Sequence, residues 1–143
     1  MNIWVNGCFD ILHAGHIDLL EFAKNLRDPN SKHKRKNRVI VGIDSDSRVK
    51  ELKGDGRPIN NQEDRRKMLE SIRYVDDVVI YNNEDEMCDY ISRYCIDYMV
   101  IGEDYKDKIV LCRDKSANDV IFFPKDEHSS TNIIQKTVFK QVK

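Results

Sequence analysis

One repeated order constrains this chain more than any other feature: a short apolar run, then a polar or glycine-bearing cluster, then a stretch of helical periodicity. Apolar runs at residues 3–5, 39–43, 75–81, 98–102 and 119–123 read as strands. Between them, residues 16–26 bring Ile17, Leu19, Leu20, Phe22, Ala23 and Leu26 into an amphipathic helix. Residues 62–72 put Met68, Leu69 and Ile72 on one face, and residues 84–94 set Met87, Tyr90, Ile91 and Tyr94 at i, i+3, i+4, i+7. A last helix is predicted from Ser129 to about Phe139, while residues 109–112 are apolar but too short to assign. Strands alternating with helices predict a parallel sheet with right-handed crossovers. Ligands of such sheets sit beyond the carboxyl ends of the strands, where strand order reverses. The clusters at residues 7–16, 44–47, 102–104 and 125–131 each follow a strand, so one rim is predicted to collect them.

The chain's 143 residues suit one domain, 1–143, with a core of its own, and no repeat or linker argues for a second. Twenty-four Lys+Arg against 25 Asp+Glu leave a net charge of −1, so no long-range field draws in an acidic partner. No apolar run approaches the roughly 20 residues of a membrane span. Met1–Val5 lacks the basic lead of a signal peptide, and a cytoplasmic location is expected. Cys8, Cys88, Cys95 and Cys112 are scattered without a CxxC pair, which reads as ordinary thiols of a reducing compartment rather than a zinc site or a disulfide framework. The basic run 32–38 is compatible with nucleic acid or with a solvated loop; nothing aromatic interleaves with its charges to stack bases, which favours the loop.

The densest chemistry lies in the first turn, Asn6 to His16. A strand, a glycine-bearing turn and a helix start place backbone N–H groups and a helix N-terminus together, where an anion is favoured. His13 and His16 would both face that anion, and Gly15 between them leaves no Cβ to keep a phosphate from the backbone. Lys50, Lys53 and Arg57 in and before the glycine-bearing loop 53–60 could neutralise phosphates. Asn61 is placed to cap the helix that follows.

Gly7-x-Phe9-Asp10 followed by His13-Ala14-Gly15-His16 resembles the signature of the cytidylyltransferase-like nucleotidyltransferases. The loop Lys53-Gly54-Asp55-Gly56-Arg57-Pro58-Ile59-Asn60, with Glu63-x-Arg65 after it, is similar to that of bacterial heptose-1-phosphate adenylyltransferases, as is Ser129-Ser130-Thr131-Asn132-Ile133-Ile134. Ser71-Ile72-Arg73-Tyr74-Val75-Asp76 looks instead like the helix-to-strand junction of glycerol-3-phosphate cytidylyltransferases. Their Arg-Thr-Glu-Gly-Ile is replaced here by Pro124-Lys125-Asp126-Glu127-His128.

The resemblance implies an α/β, Rossmann-like, doubly wound five-stranded parallel sheet. It implies an enzyme that joins NMP from an NTP to a phosphorylated sugar or polyol with release of pyrophosphate. Adenylyl transfer to a sugar 1-phosphate is the first expectation, CTP with glycerol 3-phosphate the alternative, and a non-catalytic nucleotide-binding domain the third. By the same resemblance His13, His16, Lys53 (or Lys50) and Arg65 act on the phosphates. Gly7, Cys8, Phe9, Asp10 and Gly15 border the nucleotide, Gly102 and Asp104 lie near the base or ribose, and Ser129, Ser130 and Thr131 hold phosphate oxygens. Mg²⁺ arrives with the triphosphate and no protein metal cage is expected. A homodimer is implied, with no nucleic acid and no membrane.

Overall fold

The computed structural model describes residues 1–28, 36–103 and 107–124. The chain runs β1 (Asn2–Gly7), α1 (Ala14–Asn25), β2 (Arg38–Asp44), α2 (Asp46–Lys53), α3 (Gln62–Glu70), β3 (Asp77–Tyr81), α4 (Glu84–Arg93), β4 (Tyr98–Gly102), one 3-10 turn (Arg113–Lys115) and β5 (Ile121–Phe123). All five strands are parallel, in the order β3-β2-β1-β4-β5. Strand order therefore reverses at β1, whose neighbours are β2 on one side and β4 on the other. This is the doubly wound, Rossmann-like sheet that the alternation of runs predicts.

Successive side chains of a strand point to opposite faces, and the core divides accordingly. Ile3, Val5, Val39, Val41 and Ile43 pack on one face with Leu20 and Ala23 of α1 and Leu69 of α3. Trp4, Ile40 and Met99 pack on the other with Met87 and Ile91 of α4. Gly42 takes its turn on that second face directly against Trp4. A Cβ there would run into the indole and come within 2.9 Å of the Tyr81 ring, so the wide tryptophan is accommodated by the glycine on the neighbouring strand.

Several boundaries differ from expectation for local reasons. Helix α1 starts at Ala14, because His13 serves as its cap. Strand β1 extends to Asn2 and Gly7, whose pairing with Arg38 and Ile43 needs no apolar side chain. Helix α2 has no counterpart among the expected elements. Only Val49 is buried in it, and its ends are set instead by Ser45, which accepts from the Arg48 N–H at 3.3 Å, and by Gly54 at φ 95°. Asn61 caps α3 as its position suggests, accepting from the Asp64 N–H at 2.8 Å.

One expectation is corrected. Cys88 of α4 and Cys112, which precedes the 3-10 turn, form a disulfide with Cα atoms 5.3 Å apart; they are not free thiols. Cys8 and Cys95 are free, the first buried and the second exposed. Among the described residues no helix is long and apolar enough to cross a membrane. The predicted last helix, most of the basic run and the segment 125–131 lie outside the described residues.

Candidate active site

A cavity of about 520 Å³ lies where the carboxyl ends of the strands meet around the β1 reversal point. The turn after β1 supplies Gly7, Cys8, Phe9 and Asp10, and α1 supplies His13, Gly15 and His16. Asp44 and Tyr81 come from the ends of β2 and β3, and Arg48 and Lys53 from α2. Arg57 belongs to the loop after α2; Gly102, Glu103 and Phe123 close the β4–β5 side. Of the post-strand clusters, 7–16, 44–47 and 102–104 send described residues to this cavity, although Ser45, Asp46 and Ser47 lie off its wall.

The imidazoles are held by the helix start itself. His13 sits at the cap with extended backbone (φ −143°, ψ 173°), and its Nδ1 accepts the Gly15 N–H at 3.1 Å. His16 returns the contact, its Nδ1 accepting the His13 N–H at 3.3 Å. This is a reciprocal capping box in which imidazoles replace the usual hydroxyl and carboxylate. The rings stack with centroids 3.7 Å apart, and the Phe9 ring meets His16 edge-on at 5.0 Å. Phe9 holds φ 50°, a left-handed conformation that turns its ring onto the histidine. With both Nδ1 atoms accepting, the hydrogen bonds assign the ring proton of each neutral imidazole to Nε2. Both residues line the cavity, and the Nε2 atom of His13 is itself buried there.

Asp10 lines the cavity, yet its side chain is committed to the loop after α2. It accepts from Arg57 Nε at 2.9 Å, the Ile59 N–H at 2.8 Å and the Asn60 N–H at 2.7 Å, while Asn60 Nδ2 donates to the Asp10 carbonyl at 2.6 Å. Burial alone pushes this carboxyl up, but the Asn60 and Ile59 amides with the Arg57 guanidinium outweigh it and hold Asp10 below its ordinary 3.8. A carboxyl depressed in the folded state contributes stability that is fully present above its unfolded pKa and is lost as pH falls through the lower folded one. Thermal unfolding midpoints are therefore expected to drop as pH is lowered below 3.8. Asp10→Asn, less stable at neutral pH, should show a shallower drop over that acid range. An equally steep acid loss in the variant would place the titrating group elsewhere.

Arg65, expected on substrate phosphates, has another task. Its side chain is 0% exposed: Nε donates to the Asn60 carbonyl at 3.0 Å, Nη1 to the carbonyls of Cys8 and Asp44 at 2.9 and 2.7 Å, and Nη2 to Asp46 Oδ1 at 2.9 Å. It ties the β1 turn, the end of β2, the start of α2 and the loop before α3 together beneath the cavity. Lys50 is exposed and lies off the cavity wall. Lys53 is on the wall and makes no ion pair among the described residues. Burial pushes the Cys8 thiol up, against the pull of Lys53 and Arg65, so it packs as a neutral thiol. Asp104, Ser129, Ser130 and Thr131 lie outside the described residues.

Arg48 and Tyr81, absent from the expected set, also line the cavity. The sequence signal for the first is the i, i+4 spacing of Asp44 and Arg48, whose ion pair of 2.9 Å spans the β2–α2 junction. Among the described residues one group has metal-holding spacing, Glu84, Cys88 and Cys112, and its two sulfurs are joined in the disulfide.

The sequence profile of the cytidylyltransferase-like family matches residues 4–136. A protein of Campylobacter fetus subsp. fetus named bifunctional protein HldE is 42% identical over 134 residues, covering 94% of this chain and 27% of that one. Its namesake in Nitratiruptor sp. is 41% identical over 134 residues, again covering 94% and 27%. The chain thus spans about a quarter of the length of these relatives. The crystal structure of a lipopolysaccharide core biosynthesis protein from Thermoplasma volcanium superposes with a TM-score of 0.67 at 21% identity, covering 88% of this chain and 98% of that one, which supports the fold.

Proposed function

Because the chain belongs to the cytidylyltransferase-like family, we propose that it is a nucleotidyltransferase that transfers AMP from ATP to a sugar 1-phosphate of the heptose 1-phosphate type. The observation that carries this reading is the pair of stacked imidazoles, locked through Nδ1 to the start of α1 at the reversal point of the sheet. An acceptor phosphate oxygen forms a bond to the nucleotide α-phosphorus, the bond from that phosphorus to the bridging oxygen breaks, and pyrophosphate leaves with the electron pair. The work left to the protein is positioning and neutralisation of charge spreading over phosphate oxygens. The imidazoles of His13 and His16 are assigned to those oxygens on the family resemblance, and Lys53, uncompensated among the described residues, supplies the fixed positive charge. The Gly7–Phe9 backbone and Gly15 allow the chain of phosphates to approach closely. Ser129, Ser130 and Thr131 are assigned to the β- and γ-oxygens, and Gly102 and Asp104 to the nucleoside, on the family resemblance.

Mg²⁺ enters this reading as part of the substrate, carried by the triphosphate. The donor chemistry of the cavity suits that: Asp10 and Asp44 already accept from Arg57 and Arg48. A homodimer is carried over from the family resemblance.

Adenylyl transfer is preferred to cytidylyl transfer on two points of sequence. Loop 53–60 and Asn132-Ile133-Ile134 resemble the adenylyl-transferring group, and Pro124–His128 replaces the segment of the cytidylyl group. A pocket built to hydrogen-bond one base edge leaves buried groups unpaired with the other, so the preference should be about tenfold or more. The test is kcat/KM for ATP and CTP against heptose 1-phosphate and glycerol 3-phosphate. A tenfold advantage for CTP would replace this reading with glycerol-3-phosphate cytidylyl transfer.

A further inference from the structure

The two halves of the cavity differ in chemistry. On the β4–β5 side, Ile101, Val110, Leu111 and Phe123 form an apolar wall suited to a flat base. On the β2–β3 side the wall is Asp44, Arg48 and Tyr81. The imidazoles after β1 lie between, so a nucleotide on the apolar side leaves the polar side to the second reactant.

That polar group is fixed from below. Arg48 Nε donates to Asp44 Oδ1 at 2.9 Å, and the guanidinium lies 5.7 Å over the Tyr81 ring. The buried Tyr81 ring faces Trp4 with centroids 6.5 Å apart, and Asn6 Oδ1 accepts from the Trp4 indole N–H at 3.1 Å. Arg48 and Asp44 side chains are only 14% and 15% exposed. Among the described residues Nη1 and Nη2 of Arg48 have no protein partner, so its terminal N–H groups are uncommitted at the cavity wall. These groups open onto the cavity, where a ligand oxygen can accept from them.

Charge decides what that something is. Arg48 is neutralised by Asp44 and Arg57 by Asp10, whereas Lys53 is unpaired among the described residues. A dianionic phosphate is best served at Lys53. The Asp44–Arg48 pair is formally neutral and presents a carboxylate acceptor beside a planar donor, which matches the donor and acceptor of sugar hydroxyls. We infer that Asp44 and Arg48 form the subsite that reads the hydroxyls of the acceptor, making them specificity-determining residues for a polyhydroxylated phosphate. The inference rests on the nucleotidyltransferase reading above.

The experiment measures KM for acceptor and for ATP separately in the full chain, with heptose 1-phosphate as acceptor and pyrophosphate release as readout. Arg48→Met and the isosteric Asp44→Asn are expected to raise the acceptor KM by about tenfold to a hundredfold, the scale of lost charged hydrogen bonds. The ATP KM should stay within about threefold, and Arg48→Lys should recover part of the loss. Should Arg48→Met fail to fold, Asp44→Asn decides the matter, since it alters charge and not volume. An unchanged acceptor KM in a folded variant, or a rise confined to the ATP KM, would overturn the subsite. A wild-type chain that releases pyrophosphate with no NTP–acceptor pair would overturn the underlying reading, and the subsite with it.

Discussion

Replacing His16 with alanine is expected to lower kcat by about 10²–10³ while the nucleotide KM changes only a few-fold, the scale of removing one preorganised donor to developing charge. The structure adds a complication that the kinetics can separate. His16 Nδ1 also accepts the His13 N–H, so alanine removes half of the capping box and should cost about 1 kcal/mol of stability. Glutamine at this position can restore the reciprocal cap but cannot present an N–H where Nε2 stood. His16→Gln is therefore expected to recover the unfolding midpoint and not the turnover. If the two recover together, the imidazole acts through the helix start, and its role at the phosphates falls. Near-full turnover in His16→Ala would remove it from the catalytic set outright.

The second large effect is on stability. Arg65→Met is expected to cost about 3–5 kcal/mol, the range for breaking a buried charged network by removing one partner. It would strip the donor from the carbonyls of Cys8, Asp44 and Asn60. Asp46, partly exposed, can turn to water. Lysine should not rescue, because one ammonium cannot span acceptors that the planar guanidinium reaches in several directions. Denaturant unfolding of the variant measures this directly. A loss under about 1 kcal/mol would mean that water or a neighbour replaces the arginine, and that the three segments do not depend on it.

What the amino-acid sequence makes legible follows physical locality. The alternation of apolar runs and helical periodicity carries the sheet, because period and length are properties of short windows. The imidazole pair was legible for the same reason: His13, Gly15 and His16 are neighbours in sequence and at one helix start. Asn61 as a cap was legible likewise. Helix α2 was not, since it buries only Val49 and has no apolar stripe to betray it. The disulfide was not, because its cysteines are 24 residues apart in separate elements with no spacing signal. Arg65 shows the deeper limit. An arginine near a helix start in a phosphate-binding family reads as a clamp. Only tertiary placement reveals that three backbone carbonyls and Asp46 take up its donors. Asp10 likewise lines the cavity, and only the fold shows that its carboxylate serves loop 57–60.

The most direct measurement of the central claim is the fate of the nucleotide α-phosphorus. With ATP labelled at that atom and heptose 1-phosphate as acceptor, the label should appear in a nucleotide-diphospho-sugar, one pyrophosphate being released for each product formed. Label recovered only as unreacted ATP or as free AMP, or product formed by transfer of the γ-phosphoryl group, would contradict nucleotidyl transfer at the His13–His16 site.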